Sequence, residues 1–150
     1  DAAEALAQAA GKENFLALMN QKAAELGMKN TVFFDPCGLN PKNKSTPADL
    51  AKLVAYVHKN HPEILATGKS NDFWLEDKSG VWMKFQNVNN FYPLAAFVGG
   101  KTGYLPEAKQ TIAGVFNVNG KPTAIVVLYS ANRQADVFRI LEKLQSQGGL

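Results

Sequence analysis

The order of the apolar patterns predicts an α+β fold, in which a helical region precedes an antiparallel sheet of three C-terminal strands and a packing C-terminal helix. Apolar residues recur at helical spacing in the first third of the chain and again near its end, with strand-like runs between them. Asn119-Gly120 separates two of these runs and is typical of a hairpin turn. The 150 residues are enough for a single domain, with 1–96 mainly helix and loop and 97–150 holding the sheet strands and last helix.

The first two helices are predicted from composition and spacing. Residues 1–10 are rich in alanine, which favours helix. A second helix over about 13–26 places one apolar stripe on a single face, formed by Phe15, Leu18, Met19, Ala23 and Leu26. Gly27 suits the end of that helix, and a long loop over 28–45 follows. We expect four apolar side chains to fold this loop onto the domain: Val32, Phe33, Phe34 and Leu39.

The next helix has a sharp predicted start. Thr46 can cap it, Pro47 suits the first helical position, and Asp49 can return the capping bond. Its inner face is expected to bury Leu50, Leu53, Val54 and Val57. The same spacing predicts a closing helix over about 133–145, with an apolar face of Val137, Ile140, Leu141 and Leu144.

Five strands are predicted between these helical regions. Residues 73–76 and 81–85 form a hairpin across a turn at 77–80, and the later strands span 97–104, 110–118 and 122–129. The last strand is almost continuously apolar, which requires cover on both faces and a neighbour on both edges. A three-stranded sheet leaves an edge open, so we expect part of the sheet to be missing and regard the open edge as a candidate homodimer contact.

Composition excludes several classes of function. The chain has a net charge of +3, and its basic and acidic residues are interspersed, which argues against nucleic acid as a partner. Cys37 is the single cysteine, so an internal disulfide and cysteine-rich zinc sites are excluded. His58 and His61 have no further ligands at suitable spacing, and we predict no metal and no other cofactor. No apolar run approaches the roughly 20 residues of a membrane span.

The segment from Gly99 to Tyr104 is the strongest candidate for a site. It places three glycines within five residues of a predicted strand, which indicates close approach of another backbone or a ligand. Lys101 and Thr102 would there offer an ammonium and a hydroxyl to a substrate carboxylate. For Lys101-Thr102-Gly103 alone, a bulged strand with a solvated lysine remains the alternative.

Longer segments extend this motif into a family resemblance. Lys-Thr-Gly is one of three elements shared by penicillin-binding proteins and class A β-lactamases. Four further segments closely resemble the low-molecular-mass D-alanyl-D-alanine carboxypeptidase and endopeptidase family, and we take the resemblance to extend over nearly the whole chain. These segments are 19–23, 25–31, 35–39, and 45–46 together with 49–51.

The resemblance implies a penicillin-binding-protein-like fold and a serine-type peptidase mechanism. In the family, a Ser-x-x-Lys serine attacks the peptide bond between two D-alanines and forms an acyl-enzyme. Lys101 would be catalytic, Thr102 and Gly103 would bind substrate, and Tyr104 would bind it through an N–H donated to the oxyanion. The implied partners are a peptidoglycan stem peptide ending in D-Ala-D-Ala and, in the full-length protein, β-lactam antibiotics. The implied location is extracytoplasmic, in the periplasm or at the outer face of the cytoplasmic membrane.

Several features depart from the family pattern. None of the five serines is followed by lysine three residues later: Ser45, Ser70, Ser79, Ser130 and Ser146. Ser130-Ala131-Asn132 spells the family's Ser-x-Asn motif at an unsuitable place, and we interpret it as coincidence. Because the chain begins at an acidic-alanine segment without methionine, we expect an N-terminally truncated portion that is inactive alone. A non-catalytic module that binds or scaffolds peptidoglycan peptides is the second hypothesis.

The remaining candidates receive lesser roles. The segment 105–109 replaces a threonine and an Ala-Gly pair that the family usually has, which affects the outer loop of the site. Cys37 is interpreted as a small buried residue, and Arg133 is left outside the site. Core packing is favoured over a peptide-binding wall for five aromatic residues: Trp74, Trp82, Phe85, Phe91 and Tyr92.

Overall fold

The computed structural model describes residues 2–147. The helices in this range are α1 (Ala2–Ala10), α2 (Lys12–Glu25), α3 (Pro47–Asn60), α4 (Pro62–Thr67) and α5 (Arg133–Gln147). The strands are β1 (Asp72–Glu76), β2 (Trp82–Gln86), β3 (Phe97–Leu105), β4 (Lys109–Val118) and β5 (Lys121–Ser130). The fold is therefore α+β, as the sequence predicts. None of the helices described between residues 2 and 147 has the length and apolar character that crossing a membrane requires.

The C-terminal strands form one antiparallel sheet in the order β3-β4-β5, and β1 pairs with β2 in a separate hairpin. Helices α3 and α4 contact the sheet on one side, and α5 packs on β4 and β5. A bulge follows Phe97 in β3, and a second irregularity lies near Tyr129 in β5. Within residues 2–147, the outer edges of β3 and β5 have no paired strand.

Two apolar clusters hold the sheet and its helices together. The larger cluster centres on three rings, of which Phe91 and Phe116 meet edge to face with centroids 5.8 Å apart. Its buried members are Phe91, Phe97, Ile112, Phe116, Val118, Ile125, Val137 and Leu141. The smaller cluster joins the other face to α3 and α4 through Val54, Leu65 and Val115. Burial of these side chains is the main stabilising term for this half of the chain.

Helix α4 was not predicted, because six residues are too few to show helical spacing. Its presence explains the glycine-rich start of β3. A Cβ atom on Gly99 would lie 2.1 Å from the carbonyl oxygen of Leu65, so only glycine lets the helix approach the strand this closely. The predicted close approach of a second backbone is therefore present at Gly99.

The loop before α3 is held differently from the prediction. Val32, Phe34 and Leu39 are 37%, 45% and 63% exposed, so the expected apolar anchoring is wrong for them. Polar groups order the loop instead. The Asp35 carboxylate accepts hydrogen bonds from the backbone N–H groups of 38–40, and Asn20 exchanges two hydrogen bonds with the backbone of Phe33. Such local side-chain bonds satisfy a loop backbone without a core.

The start of α3 is confirmed in part. Thr46 accepts a hydrogen bond from the Asp49 N–H at 3.2 Å, and Pro47 is the first helical residue. The Asp49 carboxylate, however, does not turn back to the cap. It accepts from the Asn30 N–H at 2.8 Å and from the Thr31 hydroxyl at 3.0 Å, and it is only 2% exposed. Asp49 therefore fastens the preceding loop to α3.

The aromatic residues divide between two environments. Phe91 is 1% exposed and belongs to the core, as predicted. Core packing is wrong for Trp74, Trp82 and Phe85, which are 56%, 59% and 47% exposed on the β1–β2 hairpin. A two-stranded ribbon has no second layer, so its side chains stay accessible on both faces.

Candidate functional site

The candidate site lies along the free edge of β3. The Asn89 side chain donates a hydrogen bond to the Gly100 carbonyl at 3.3 Å, which indicates that Gly100 directs its backbone groups away from β4. Alternate residues of an antiparallel strand direct their backbone groups to the same side. The N–H and C=O groups of Thr102 and Tyr104 therefore also point to the free edge, where a ligand can reach them.

The side chains of Lys101 and Thr102 lie on opposite faces of this strand. Lys101 pairs with Ala113 on the face of α3 and α4, whereas Thr102 pairs with Ile112 on the face of α5. The Lys101 ammonium donates to the carbonyl of Thr102 and so bends over the strand edge. Thr102 is 5% exposed, and its hydroxyl has no hydrogen-bond partner among residues 2–147. The two groups can meet a common ligand only at the edge itself.

Arg133 is the residue of this region that the sequence analysis left out. Its guanidinium donates to the carbonyl of Gly103 at 2.9 Å, and its backbone N–H donates to the side chain of Gln110 at 3.1 Å. It is the first residue of α5, so the helix start fixes its position. The sequence does show a cation that follows the last strand and opens the closing helix. Without the strand register, however, this residue could not be located beside Gly103.

The two cations of the site affect each other. Crowding of the Lys101 ammonium by protein atoms, and to a smaller extent the charge of Arg133, hold the pKa of Lys101 below its usual value of 10.5. Two neighbouring positive charges repel, and an anion bound between them removes that repulsion. The edge of β3 is therefore electrostatically suited to a carboxylate.

The Ser130-Ala131-Asn132 segment has structural partners. The Asn132 side chain accepts from the Ala135 N–H at 3.0 Å and so caps α5. The Ser130 hydroxyl donates to the Asp136 carboxylate at 2.5 Å and accepts from the Asn132 N–H at 3.0 Å. These bonds hold the turn that presents Arg133, so the segment supports the site without supplying a nucleophile.

The turn after the candidate strand contains the departure from the family pattern. Lys109, the last residue of this segment, has a left-handed backbone with φ of 53°. Its ammonium lies 4.1 Å from the centre of the Tyr129 ring, which is a cation–π contact. Tyr104 is 67% exposed beside this turn. The loop keeps a shape that glycine adopts easily, although lysine fills it.

The described residues hold no group of three or more histidine, cysteine, aspartate or glutamate side chains that could bind a metal ion. What the site offers is a strand edge with free backbone groups, two cations and one unpartnered hydroxyl. This combination can bind an extended peptide with a terminal carboxylate.

Solved structures place the fold among the D,D-peptidases. The structure of the Streptomyces K15 DD-transpeptidase matches with a TM-score of 0.77 and 30% identity, covering 89% of this chain and 55% of that one. The D-alanyl-D-alanine carboxypeptidase of Mycobacterium tuberculosis H37Rv matches with a TM-score of 0.77 and 27% identity, covering 89% of this chain and 52% of that one. The α+β arrangement is thus that of a penicillin-binding-protein-like fold.

The family can be stated more narrowly. The profile of the D-alanyl-D-alanine carboxypeptidase family matches residues 1–132, and this chain belongs to that family. D-alanyl-D-alanine carboxypeptidase DacF of Bacillus subtilis is 33% identical over 98% of this chain and 39% of its own length. The D-alanyl-D-alanine endopeptidase of Haemophilus influenzae is 31% identical over 92% of this chain and 48% of its own length. The chain therefore spans less than half of these two relatives.

Proposed function

We propose that this chain forms the substrate-docking part of a serine-type D-alanyl-D-alanine carboxypeptidase or endopeptidase that acts on peptidoglycan stem peptides. The observation that carries the proposal is the pair of cations on β3, with Lys101 at its free edge and Arg133 bonded to the carbonyl of Gly103. A peptide ending in D-Ala-D-Ala presents a carboxylate and an extended backbone, which are the two features that this edge complements.

Binding would begin with the terminal carboxylate. Lys101 attracts it as a point charge, and Arg133 can offer a planar pair of N–H donors. The unpartnered Thr102 hydroxyl would donate a further hydrogen bond to the same end of the peptide. The peptide backbone would then extend along β3 as an added strand, bonded to the N–H of Thr102 and to the backbone groups of Tyr104.

The same geometry supports the acyl-enzyme mechanism implied by the family. The N–H of Tyr104 would donate to the oxyanion formed when a serine attacks the scissile carbonyl. Lys101 would act as the catalytic cation of the strand, and Gly103 would contact the substrate. The 150 residues contain no Ser-x-x-Lys segment. We therefore expect this chain to bind the peptide without cleaving it, and we place the reaction of the longer protein outside the cytoplasmic membrane.

Binding of the terminal carboxylate is tested by titrating the chain with a peptide ending in D-Ala-D-Ala and with its C-terminal amide, using chemical shifts in NMR spectra. The carboxylate form should bind about tenfold more tightly, and Arg133→Gln or Lys101→Met should remove most of that difference. Lys121→Ala is the matched control, because it removes one positive charge on the far strand. Equal affinity for the two peptides would contradict the proposed carboxylate site.

The pH dependence of this binding follows from the direction of the Lys101 shift. Because the pKa of Lys101 lies below its usual 10.5, the ammonium loses its proton at a lower pH than other lysines do. Affinity for the carboxylate peptide should therefore fall as pH rises through that lowered pKa. Lys101→Arg should flatten the profile, since arginine keeps its charge. An unchanged profile in that variant would exclude Lys101 as the titrating group.

The second hypothesis, a non-catalytic module that binds or scaffolds peptidoglycan peptides, is favoured by the absence of Ser-x-x-Lys from the 150 residues. Covalent labelling by a fluorescent penicillin separates the two. The full-length gene product should label if it is a peptidase, and this chain alone should not. Labelling of neither, with peptide binding retained, would favour the non-catalytic module.

The open edge of β5 is our proposed homodimer contact. Pro122 and the irregularity near Tyr129 protect its two ends, which leaves the middle of the strand free to pair. Size-exclusion chromatography at low and high protein concentration tests this contact. A monomer at both concentrations would contradict it.

A further inference from the structure

The β1–β2 hairpin has two faces of different chemistry. Side chains of directly paired residues share one face, and Trp74 pairs with Lys84 while Glu76 pairs with Trp82. The face with both tryptophans, here called the indole face, carries Asp72, Trp74, Glu76, Trp82, Lys84 and Gln86. The opposite face carries Phe73, Leu75, Met83 and Phe85. Only the indole face alternates large rings with hydrogen-bonding groups.

The two indole rings are accessible and occupy neighbouring positions of the hairpin. Trp74 and Trp82 are 56% and 59% exposed and are diagonal neighbours, a relation that places Cα atoms about 7–8 Å apart. Exposed tryptophans on one face are uncommon outside binding surfaces, because each leaves a large apolar area in water. The pair offers a platform longer than one ring.

The charges of the indole face are nearly balanced. Lys84 forms an ion pair with Asp72 at 2.5 Å, and its ammonium lies 5.7 Å from the centre of the Trp74 ring. Glu76 is left as the remaining charge on this face, so a polyanion would be repelled. A neutral polysaccharide fits better, because its C–H faces can stack on indole rings while its hydroxyl and amide groups bond to carboxylate and amide side chains.

We propose that the indole face binds a neutral glycan built from N-acetylated hexosamine units. This inference rests on the proposed function, since such a glycan strand carries the stem peptides that the β3 edge would receive. A protein partner would instead suit the uniformly apolar opposite face, where no polar group requires a partner.

The base of the hairpin ties this surface to the candidate site. The Asn87 side chain donates to the carbonyls of Gly68 and Ser70, and Asn89 donates to the carbonyl of Gly100. Gly100 directly precedes Lys101 in β3. A glycan held on the hairpin would therefore bring its attached peptides to the neighbourhood of the strand edge and raise their effective concentration there.

Intrinsic fluorescence gives a direct test, because Trp74 and Trp82 are the two tryptophans of the chain and both lie on the indole face. Titration with chitin hexasaccharide, a neutral N-acetylglucosamine oligomer, should give a saturable change in tryptophan emission. A hexasaccharide of glucose without acetamido groups should bind more weakly. No saturable change with the chitin hexasaccharide would overturn the proposal.

Variants locate the binding face. Affinity electrophoresis in gels containing soluble chitin derivative should show about tenfold weaker retardation for Trp74→Ala/Trp82→Ala. The matched control Leu75→Ala/Met83→Ala removes a paired apolar couple from the opposite face and should keep its retardation. Equal losses of retardation in both variants would mean that the glycan binds elsewhere or that both variants disturb the folding of the hairpin. Either result would contradict glycan binding on the indole face.

A further pair of variants separates this proposal from the proposed peptidase function. Trp74→Phe/Trp82→Phe keeps apolar strand residues in the hairpin and should retain part of the retardation, which excludes unfolding as the cause of the alanine effect. Arg133→Gln should lose the carboxylate preference for the stem peptide while keeping full glycan binding. Glycan binding without any peptide binding would contradict the proposed peptide docking at the β3 edge alone, and the reverse result would contradict the glycan site alone.

Discussion

The sheet β3–β5 and the hairpin β1–β2 are both antiparallel and both rich in large apolar residues, yet they use those residues differently. In the sheet, Phe97 and Phe116 are fully buried between layers. In the hairpin, Trp74 and Trp82 are more than half exposed. The strand pattern alone therefore does not identify core residues, because burial depends on whether a second layer packs on the strand.

The two regions also differ in what holds them in shape. The sheet is fixed by apolar packing on both sides, from α3 and α4 and from α5. The hairpin is fixed by polar bonds at its turn and base, from Asp77, Asn87 and Asn89. We therefore expect mutations in the sheet to change global stability and mutations in the hairpin to act locally.

The largest contrast is expected between Phe116→Ala and Trp74→Ala. Phe116 is 0% exposed among other rings, so its truncation leaves a cavity and should lower the free energy of unfolding by about 3–5 kcal/mol. Trp74→Ala should change it by about 0.5 kcal/mol or less, as is usual for exposed positions. Urea denaturation followed by far-ultraviolet circular dichroism measures both. A Trp74 effect as large as that of Phe116 would mean that the hairpin belongs to the core.

The next effect concerns the contact between α4 and the sheet. Gly99→Ala would place a methyl group against the Leu65 carbonyl, so strand or helix must shift, at a cost of about 1–3 kcal/mol in global stability. Gly80→Ala is the matched change in the hairpin turn, where φ is +84° and no tight contact is present. It should strain the turn while leaving the midpoint of global unfolding almost unchanged. A small effect at Gly99 would argue against the close approach of α4.

The same contrast explains which parts of the fold were predictable. The strands predicted at 97–104, 110–118 and 122–129 lie within one residue of their observed bounds. Their apolar runs are long, and Asn119-Gly120 fixes one turn. Helix α4 was missed because its six residues bury a single side chain, Leu65. The exposed tryptophans were misplaced because no local pattern says that a hairpin will lack a second layer.

The candidate site was predictable only along one strand. Lys101, Thr102 and their neighbours follow from a contiguous motif, whereas Arg133 reaches Gly103 from 30 positions later in the chain. Contacts between such distant residues depend on strand register, which the sequence leaves open at the bulged end of β5. The roles assigned to the strand residues stay predictions until ligand binding is measured.

Acid should loosen the turn of the hairpin. Hydrogen bonds from the Ser79 hydroxyl, and then from the Val81 and Ser79 N–H groups, hold the pKa of Asp77 below its usual 3.8. This stabilisation is present above that usual value and is lost as pH falls through the lowered pKa. Tryptophan emission should therefore change as pH falls through this lowered pKa. Asp77→Asn should abolish that change, and its persistence in the variant would exclude Asp77 as the cause.

The smallest expected effect on the free energy of unfolding is at Lys109. Its left-handed backbone strains the turn of the sheet, whereas the hairpin turn has Gly80 at such a position. Lys109→Gly would relieve the left-handed backbone by about 1–2 kcal/mol. It would also lose the contact with Tyr129, worth about 0.5–1 kcal/mol at an exposed site. Glycine would in addition raise the conformational entropy of the unfolded chain, which favours unfolding. The net change should be close to zero. Lys109→Ala keeps the strain and loses the contact, so it should be about 1 kcal/mol less stable than Lys109→Gly. Equal denaturation midpoints for the two variants would show that the backbone at residue 109 is not strained.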